Sequence, residues 1–420
     1  MYDVIIVGGG ASGIFTAANI VLQRPKTKVL IIEKSNKLLA KVKISGGGRC
    51  NVTHAEYENK SLVKNYPRGN KALMSVFSRF STYDTIDWFA QQGVELHAEQ
   101  DGRMFPTTND SQTIIDCLLK IITRANVEIR TSTQLHHITL TNSGATLSVA
   151  TNEVETIVKC KKIMLATGGY AKNENYNWLR TLGYAVTPPV PSLFTFNIPK
   201  HPITQLMGVA VNKASIKILE TKTTYTGSLL ITHWGLSGPA VIKLSAFDAV
   251  ALNTLNYNYT VQVNWLDFYT EEEVFELLME QKNSTPKKII YTTIPTFNNE
   301  QLPKRLWQFL CTDCALPEQL DYANLSHAQA RKLSTTLCNY TLKANGKTTY
   351  KEEFVTAGGV TIDAVNTQTF NSKQHPALYF AGEVLNVDGI TGGFNFQFAW
   401  SSAYIATTAI VEQLQSVSQK

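Results

Sequence analysis

A chain of 420 residues, 44% hydrophobic and 17% charged, has room for two or three domains and the makeup of an ordinary globular protein. No apolar run reaches membrane-spanning length, so a membrane partner is not expected. The net charge of +6 permits a polyanionic partner such as RNA without demanding one. The six cysteines, Cys50, Cys117, Cys160, Cys311, Cys314 and Cys338, are scattered too widely for a disulfide framework.

The chain opens on Val4-Ile5-Ile6-Val7, an apolar run expected of a strand buried on both faces. Gly8, Gly10 and Gly13 follow in the spacing G-x-G-x-x-G, and Ala11 to Arg24 reads as a helix. A second apolar run, Val29 to Ile32, ends in Glu33, about twenty residues past the last glycine. The first glycine allows the tight turn, the second lets a pyrophosphate approach the backbone, and the third lets helix and strand pack closely. The helix N-terminus offers N–H groups to phosphate, and Glu33 can accept from a ribose hydroxyl pair. Strand, helix, second strand and acid together predict a dinucleotide site, and this apolar start reads as a Rossmann strand rather than a signal peptide, with cytoplasm the default.

Lys43-Ile44-Ser45-Gly46-Gly47-Gly48-Arg49-Cys50-Asn51 reads as a loop whose backbone can approach a ligand. The lysines at 34, 37, 41 and 43, with Arg49, make it an anion-facing segment. Cys50 has no second cysteine nearby, which argues against a redox-active disulfide. Residues 70 to 125 read as helices around a short loop, Asp101 to Pro106. Asn126 to Thr139 alternates as a strand pair, with His136 and His137 on opposite faces. The hairpin Ala145 to Val158 leads into the buried run Lys162 to Ala166, followed by Thr167-Gly168-Gly169, where the chain is expected to return to the first sheet.

Thr187-Pro188-Pro189-Val190-Pro191-Ser192 marks a proline-rich crossing of the kind found between domains. Short β-type runs dominate from Leu193 to about Phe268 and include Thr232-His233-Trp234-Gly235. From Thr270 to about Leu342 the pattern turns helical and carries Lys282, Lys287, Lys288, Lys304, Arg305, Arg331 and Lys332, read as a solvated face or an RNA-facing surface. Cys311-Thr-Asp-Cys314 has no second pair, so buried helix cysteines are expected rather than a redox or zinc site. The last segment returns to dinucleotide chemistry. Phe354 to Val360 is a strand with a glycine turn, Leu378 to Phe380 is a buried strand ending in Gly382-Glu383, and Asp388-Gly389-Ile390-Thr391-Gly392-Gly393 opens a long helix. For a flavin, that helix start would face the pyrimidine edge and stabilise the charge that reduction places there. No internal repeat or low-complexity tract is visible.

The N-terminal fingerprint, KISGGGRCN, GRMFP, THWGLSGPA, VTAGGV and AGEVLNVDGITGGFNFQFAW together resemble the YhiN/BaiN-type NAD(P)/FAD-dependent oxidoreductases, sometimes labelled aminoacetone-oxidase-like, from residue 2 to about 405. The resemblance implies an α/β fold: a Rossmann-type FAD-binding domain formed by both chain ends, with an inserted β-rich domain carrying a small helical subdomain. The corresponding boundaries are 1–190, 191–269, 270–342 and 343–420. It also implies non-covalent FAD. Gly8, Gly10, Ala11, Ser12 and Gly13 would meet its pyrophosphate and Glu33 its ribose. Lys34, Lys43, Ser45, Gly46, Arg49, Cys50 and Asn51 would lie along it. Leu135 would meet adenine, Thr167 and Gly168 would make the return contact, and Gly382 and Glu383 would meet the ribityl-pyrophosphate. Gly392, Gly393, Asn395 and Gln397 would sit at the flavin end. The chain departs from the family pattern at His54, where Asn is common, and at Asn386, where Asp is common.

Residues 190 to 345 hold no second glycine fingerprint, so NAD(P)H is expected to dock transiently, reduce the flavin and leave. The leading expectation is a reductase of an activated C=C bond, with a uridine of large-subunit rRNA favoured as acceptor over a small molecule. A flavin oxidase of a small amine or amino ketone and a non-catalytic flavin-containing RNA-binding factor are the rivals. Candidate proton donors are Cys50, Arg103 and His233; no metal site is expected. The sequence sets no oligomeric state.

Overall fold

The computed structural model describes residues 1–125, 127–267, 269–298, 300–349 and 355–418. Asn126 and Phe354, where two predicted strands begin, and Phe268, where the predicted β-rich stretch ends, lie outside the described residues. The chain divides into two compact units, Met1–Pro191 with Lys351–Lys420, and Ser192–Tyr350.

The first unit is built on a seven-stranded sheet. Its first strand, β1 (Tyr2–Val7), lies parallel between β2 (Val29–Ile32) and the long strand Val154–Leu165. Glu128–Arg130 extends the sheet beyond β2, again parallel. The long strand changes partners along one edge: Gly144–Thr151 pairs antiparallel with its first half, and Leu378–Phe380 lies parallel against Ile163–Leu165. Thr133–Thr141 closes that side. Both β1 and β2 are buried, as continuous apolar runs covered on two faces should be.

Helix α1 (Ala11–Gln23) connects β1 to β2 and is buried over most of its circumference, with the C-terminal helix Phe394–Ser418 and the helix Ser111–Arg124 against it. Its Phe15 ring packs between Trp88 and Trp400, at centroid distances of 4.5 and 5.0 Å. The buried indoles keep their polar atoms satisfied. Trp88 Nε1 donates to Asn19 Oδ1 (2.9 Å), and Trp400 Nε1 donates to the Val52 carbonyl (3.0 Å).

Local geometry corrects two expectations. Arg103–Pro106, predicted as part of a loop, is a strand paired antiparallel with Thr53–His54 and Leu96–Ala98. A register shift between Leu135 and His137 interrupts the strand's pairing, and His136 and His137 are both exposed. Glu128–Arg130 pairs with β2, not with the strand that follows it.

The second unit holds a seven-stranded antiparallel sheet in the order Tyr340–Asn345, Asn258–Asn264, Ala210–Ile218, Thr224–Thr232, Gly235–Ser237, Thr195–Asn197, Lys347–Thr348. Helices Glu271–Ser284 and His327–Cys338 begin with reciprocal capping boxes, Thr270 with Glu273 and Ser326 with Gln329. Their apolar faces, with that of the helix Lys304–Asp313, share one core with the sheet: Val274, Leu306, Trp307 and Leu333 belong to the same cluster as Ile216, Val261 and Val263. Cys311 and Cys314 are buried in it. Several of the basic side chains predicted for this stretch are spent within the unit. Lys282 Nζ donates to the Leu325 carbonyl (2.9 Å), Arg305 to the Gln205 carbonyl (2.9 Å), and Arg331 pairs with Glu272.

Trp307 is fully buried at the junction of sheet and helices, with Nε1 donating to the Ile290 carbonyl (2.8 Å). Trp307→Ala removes the ring and orphans that carbonyl, and the expected loss is about 3–5 kcal/mol. Urea unfolding followed by far-UV circular dichroism should show the midpoint fall; an unchanged midpoint would contradict a core shared by sheet and helices.

Candidate functional site

At the end of β1 the chain turns through Gly8, Gly9 and Gly10 into α1. A Cβ on Gly13 would lie 1.9 Å from the Gly8 carbonyl oxygen, so only glycine lets this helix seat against the turn. A Cβ on Gly10, by contrast, would have no heavy atom within 4 Å. The first turn of α1 therefore has open room beside it. Its N-terminal N–H groups have no intrahelical partner, and Gly10 provides no side-chain cap. A pyrophosphate fits that combination of open backbone, partial positive charge and unused donors.

Glu33 lies beside this turn. One carboxylate oxygen accepts from Gly9 N–H (2.7 Å) and the other from Ser35 N–H (2.8 Å). A carboxylate can accept about four hydrogen bonds, so capacity remains for a pair of ribose hydroxyls. The chain returns beside it, with Glu33 N–H donating to the Arg130 carbonyl and Thr133 N–H to the Glu33 carbonyl, both at 2.9 Å. That contact brings the start of the strand bearing Leu135 to the Glu33 side.

A second carboxylate closes the other flank. Glu383 accepts from Lys41 Nζ (2.7 Å) and from Thr356 N–H (2.9 Å). Its side chain is mostly buried, and a Cβ on Gly168 would sit 3.9 Å from it. The Ser12 hydroxyl donates to the Ala381 carbonyl (3.4 Å), and Gly382 N–H donates to Ser402 Oγ (3.0 Å). Gly8, Gly10, Ser12, Gly13, Glu33, Thr167, Gly168, Gly382 and Glu383 are thus brought together from three distant parts of the sequence.

The far end of the site is built where residues 51–54, 102–105 and 389–395 meet. The Ala40–Gly48 helix is kinked at Ser45, Gly46 and Gly47, which leave helical geometry. Gly393, at φ +95°, is pressed so close to Thr53 that a Cβ would lie 2.5 Å from the Thr53 carbonyl oxygen. Asn51 Oδ1 accepts from Met104 N–H (3.3 Å). His54 stacks on Phe394 at 4.6 Å, and its Nδ1–H donates to the Gly392 carbonyl (2.9 Å), which fixes the tautomer. Tyr66 donates to the Phe394 carbonyl (2.6 Å), and Arg68 makes a bidentate pair with the buried carboxylate of Asp388. The first N–H groups of the C-terminal helix emerge from this braced loop.

Several sequence-derived residues also have partners within the protein. Asn395 clamps Gly389, accepting from its N–H and donating to its carbonyl, both at 2.9 Å, so its amide shapes the loop. Gln397 is fully buried: its Oε1 accepts from Thr53 Oγ1 (2.6 Å) and Thr85 Oγ1 (3.0 Å), and its Nε2 donates to Ser401 Oγ (2.9 Å). Its side chain works inside the wall of the site. Lys43 turns to Gln112 (3.0 Å), Ser45 Oγ donates to the Val42 carbonyl (3.1 Å), and Lys34 stands exposed over the Tyr170 ring at 5.6 Å. Arg49 stacks on Phe105 at 4.0 Å and shares Glu99 with Arg103, which also pairs with Asp101.

The proposed donors fare unequally. Cys50 has no exposed surface, and burial pushes its thiol up to about 12, so it remains protonated at neutral pH and packs behind the loop. Arg103 lies on the strand beside His54 but is held in the Glu99–Asp101 network. His233 is exposed in the second unit, with its ring edge-on to Trp234 at 4.4 Å. Lys41, Thr356, Tyr66 and the Arg68–Asp388 pair were not singled out from the sequence. Lys41 alone left a trace there, as one of four lysines in the anion-facing segment; Tyr66 and Arg68 depend on contacts across more than 300 residues, and Thr356 on a contact with Glu383, 27 residues on.

The family model described as HI0933-like protein Rossmann domain matches residues 2–409. The chain belongs to this family. It is therefore a FAD-dependent oxidoreductase, with the Rossmann-type architecture that the sequence predicts. The chain is 31% identical over 424 aligned positions to the ribosomal RNA dihydrouridine synthase of Escherichia coli (strain K12), covering 98% of each chain. It is 26% identical to the 3-dehydro-bile acid delta(4,6)-reductase of Clostridium scindens, over 97% of this chain and 98% of that one. Among solved structures, the 3-ketosteroid delta1-dehydrogenase from Sterolibacterium denitrificans superposes with a TM-score of 0.52 at 10% identity, over 98% of this chain and 99% of that one, a likeness of fold alone. Among the described residues no helix is long and apolar enough to cross a membrane.

All six cysteines are buried, and burial raises every thiol, to about 12 for Cys50, Cys160, Cys311 and Cys338 and about 11 for Cys117. A thiol held near 12 is only ~10⁻⁴ thiolate at pH 8. The native protein should release almost no thionitrobenzoate from Ellman's reagent at that pH, and six equivalents in guanidinium. Rapid reaction of one thiol in the native state would restore a reactive cysteine to the site.

Proposed function

We propose that this enzyme is a NAD(P)H-driven reductase of an activated carbon–carbon double bond, acting on a uridine of large-subunit rRNA to give dihydrouridine. The observation that carries the substrate class is the end-to-end similarity to a ribosomal RNA dihydrouridine synthase, 31% identical over 98% of both chains. The bile-acid reductase relative, whose name also specifies reduction of unsaturated carbon, supports the reaction class. Residues 190–345 carry no second dinucleotide fingerprint, which favours a nicotinamide that binds only transiently.

In this reading the unit formed by both chain ends is the FAD domain, and the β-rich unit with its helical stretch is the insertion. Gly8, Gly10, Ala11, Ser12 and Gly13 hold the pyrophosphate, with Thr167, Gly168 and Gly382 closing the turn. Glu33 accepts from the ribose, and Leu135 lines the adenine side. Glu383, held by Lys41 and Thr356, sets the ribityl flank. Residues 45–51 and 389–395 surround the reactive end, where the N-terminus of the helix Phe394–Ser418 offers partial positive charge to developing negative charge. Bound FAD supplies the hydride chemistry. His54, Tyr66, Asn395 and the Arg68–Asp388 pair keep the helix start in one geometry.

The purified protein should be yellow, and anaerobic mixing with NADH or NADPH should bleach the flavin band. No bleaching by either nucleotide, with peroxide formed from a small amine in air, would overturn the reductase reading in favour of an oxidase. A deletion strain should lack one dihydrouridine in its large-subunit rRNA by mass spectrometry, and unchanged dihydrouridine would remove that substrate. Glu33→Ala should weaken FAD binding roughly 10- to 100-fold, the worth of hydrogen bonds to a charged group, as read by flavin fluorescence on dilution. Wild-type retention of FAD by that variant would displace Glu33 from the ribose.

A further inference from the structure

Two large aromatic side chains of the first unit stand in solvent against each other. Tyr57 is 44% exposed and Tyr83 is 57% exposed, and their rings stack at a centroid distance of 4.5 Å with an interplanar angle of 27°. Neither contributes to the core or to the phosphate end of the site. Both project from segments fixed at its reactive end. Thr53 and Thr85 donate to the same buried oxygen, Gln397 Oε1. Tyr57 follows Thr53 by four residues, past His54. Tyr83 precedes Thr85 by two positions on the helix Thr82–Gln91, a rotation of about 200°, so Tyr83 points out where Thr85 points in.

The surroundings decide what such a pair suits. Its neighbours along the chain are charged or polar: Lys60 three residues after Tyr57, Arg79 four residues before Tyr83, with Lys64 and Lys71 between them. Among the described residues none of these four cations has an ion pair, whereas Glu58 accepts from the Ser61 hydroxyl and Asp84 caps its helix through Ser81. An apolar protein partner needs a contiguous apolar patch, and the one exposed large aliphatic in this stretch is Met74. An unpaired nucleobase needs only a flat π face with donors nearby for its phosphate.

We propose that Tyr57 and Tyr83 form a stacking platform for an unpaired base next to the target nucleotide of the RNA, prolonging the tyrosine stack on one of its outer faces. The inference rests on the RNA reading of the previous subsection and adds a substrate subsite to it. A duplex hides its base faces, so the platform selects single-stranded or looped RNA. Because Glu56, Glu58, Asp84 and Asp87 offset the four unpaired cations in this stretch, stacking outweighs phosphate neutralisation and the salt dependence is shallow.

The test uses the flavin-loaded enzyme and a fluorescein-labelled, uridine-rich single-stranded RNA of about twelve nucleotides, alone and annealed to its complement. Tyr57→Ala and Tyr83→Ala should each weaken binding to the single strand roughly tenfold by anisotropy, as expected for loss of one base–aromatic stack. Tyr→Phe at either position should bind as wild type and Tyr→Leu as Ala, since the π face rather than bulk is required. Flavin content and the rate of flavin reduction by NAD(P)H should stay at wild-type values in all of them, showing intact folding. Equal binding by wild type and the Ala variants, or full rescue by Leu, would overturn the platform while leaving the RNA substrate standing. If wild type binds neither the single strand nor the annealed duplex, the platform and the RNA reading fall together.

Discussion

A single buried amide ties the reactive end of this protein together. Gln397, one turn into the C-terminal helix, accepts from the hydroxyls of Thr53 and Thr85 and donates to Ser401. In an environment without water each of those groups would cost about 1–3 kcal/mol if left unpaired. The three segments are therefore held in one arrangement, and the network is satisfied only when all of them are in place. Trp400, one turn further along the same helix, repeats the tie with Nε1 on the Val52 carbonyl. The strand that follows Val52 and the helix start at Gly393 are consequently pressed into backbone contact, which is why position 393 admits no side chain.

The phosphate end obeys a different logic. Its walls are backbone: the Gly8–Gly10 turn, the first turn of α1 and the Thr167–Gly168 return. Carboxylates brace it from two sides, Glu33 through Gly9 N–H and Glu383 through Lys41 and Thr356 N–H. An anion placed there gains from the helix terminus and from Lys41, while the two acids organise the surrounding loops. The same protein thus joins a charge-ordered end to a packed, hydrogen-bonded end, and in the function proposed above the first takes the cofactor's phosphates and the second its chemistry.

The burial of Cys50 shows why residue type and motif position do not reveal role. It sits in the most distinctive loop of the chain, yet its side chain is directed into the core at φ +62°, and its thiol is held far from the neutral range. Asn395 and Gln397 likewise occupy motif positions whose side chains face inward or along the loop. His54, Tyr66 and Arg68 do the bracing that the motif itself does not record.

By itself the sequence determined the βαβ start, the dinucleotide fingerprint with its acid, and the glycine-rich turns. Each of these is written in local spacing, because period, glycine placement and strand apolarity act over a few residues. The resemblance carried by its longer motifs then set the cofactor and the family. Tertiary structure alone decided which side chains meet. Arg68 finds Asp388, Lys41 finds Glu383 and Thr53 finds Gln397 across more than 300 residues, and no local pattern encodes such a pairing. It decided as well that Arg103–Pro106 is a strand, since a four-residue segment takes its conformation from the edge it pairs with, and that Cys50 is buried, since burial belongs to the assembled fold.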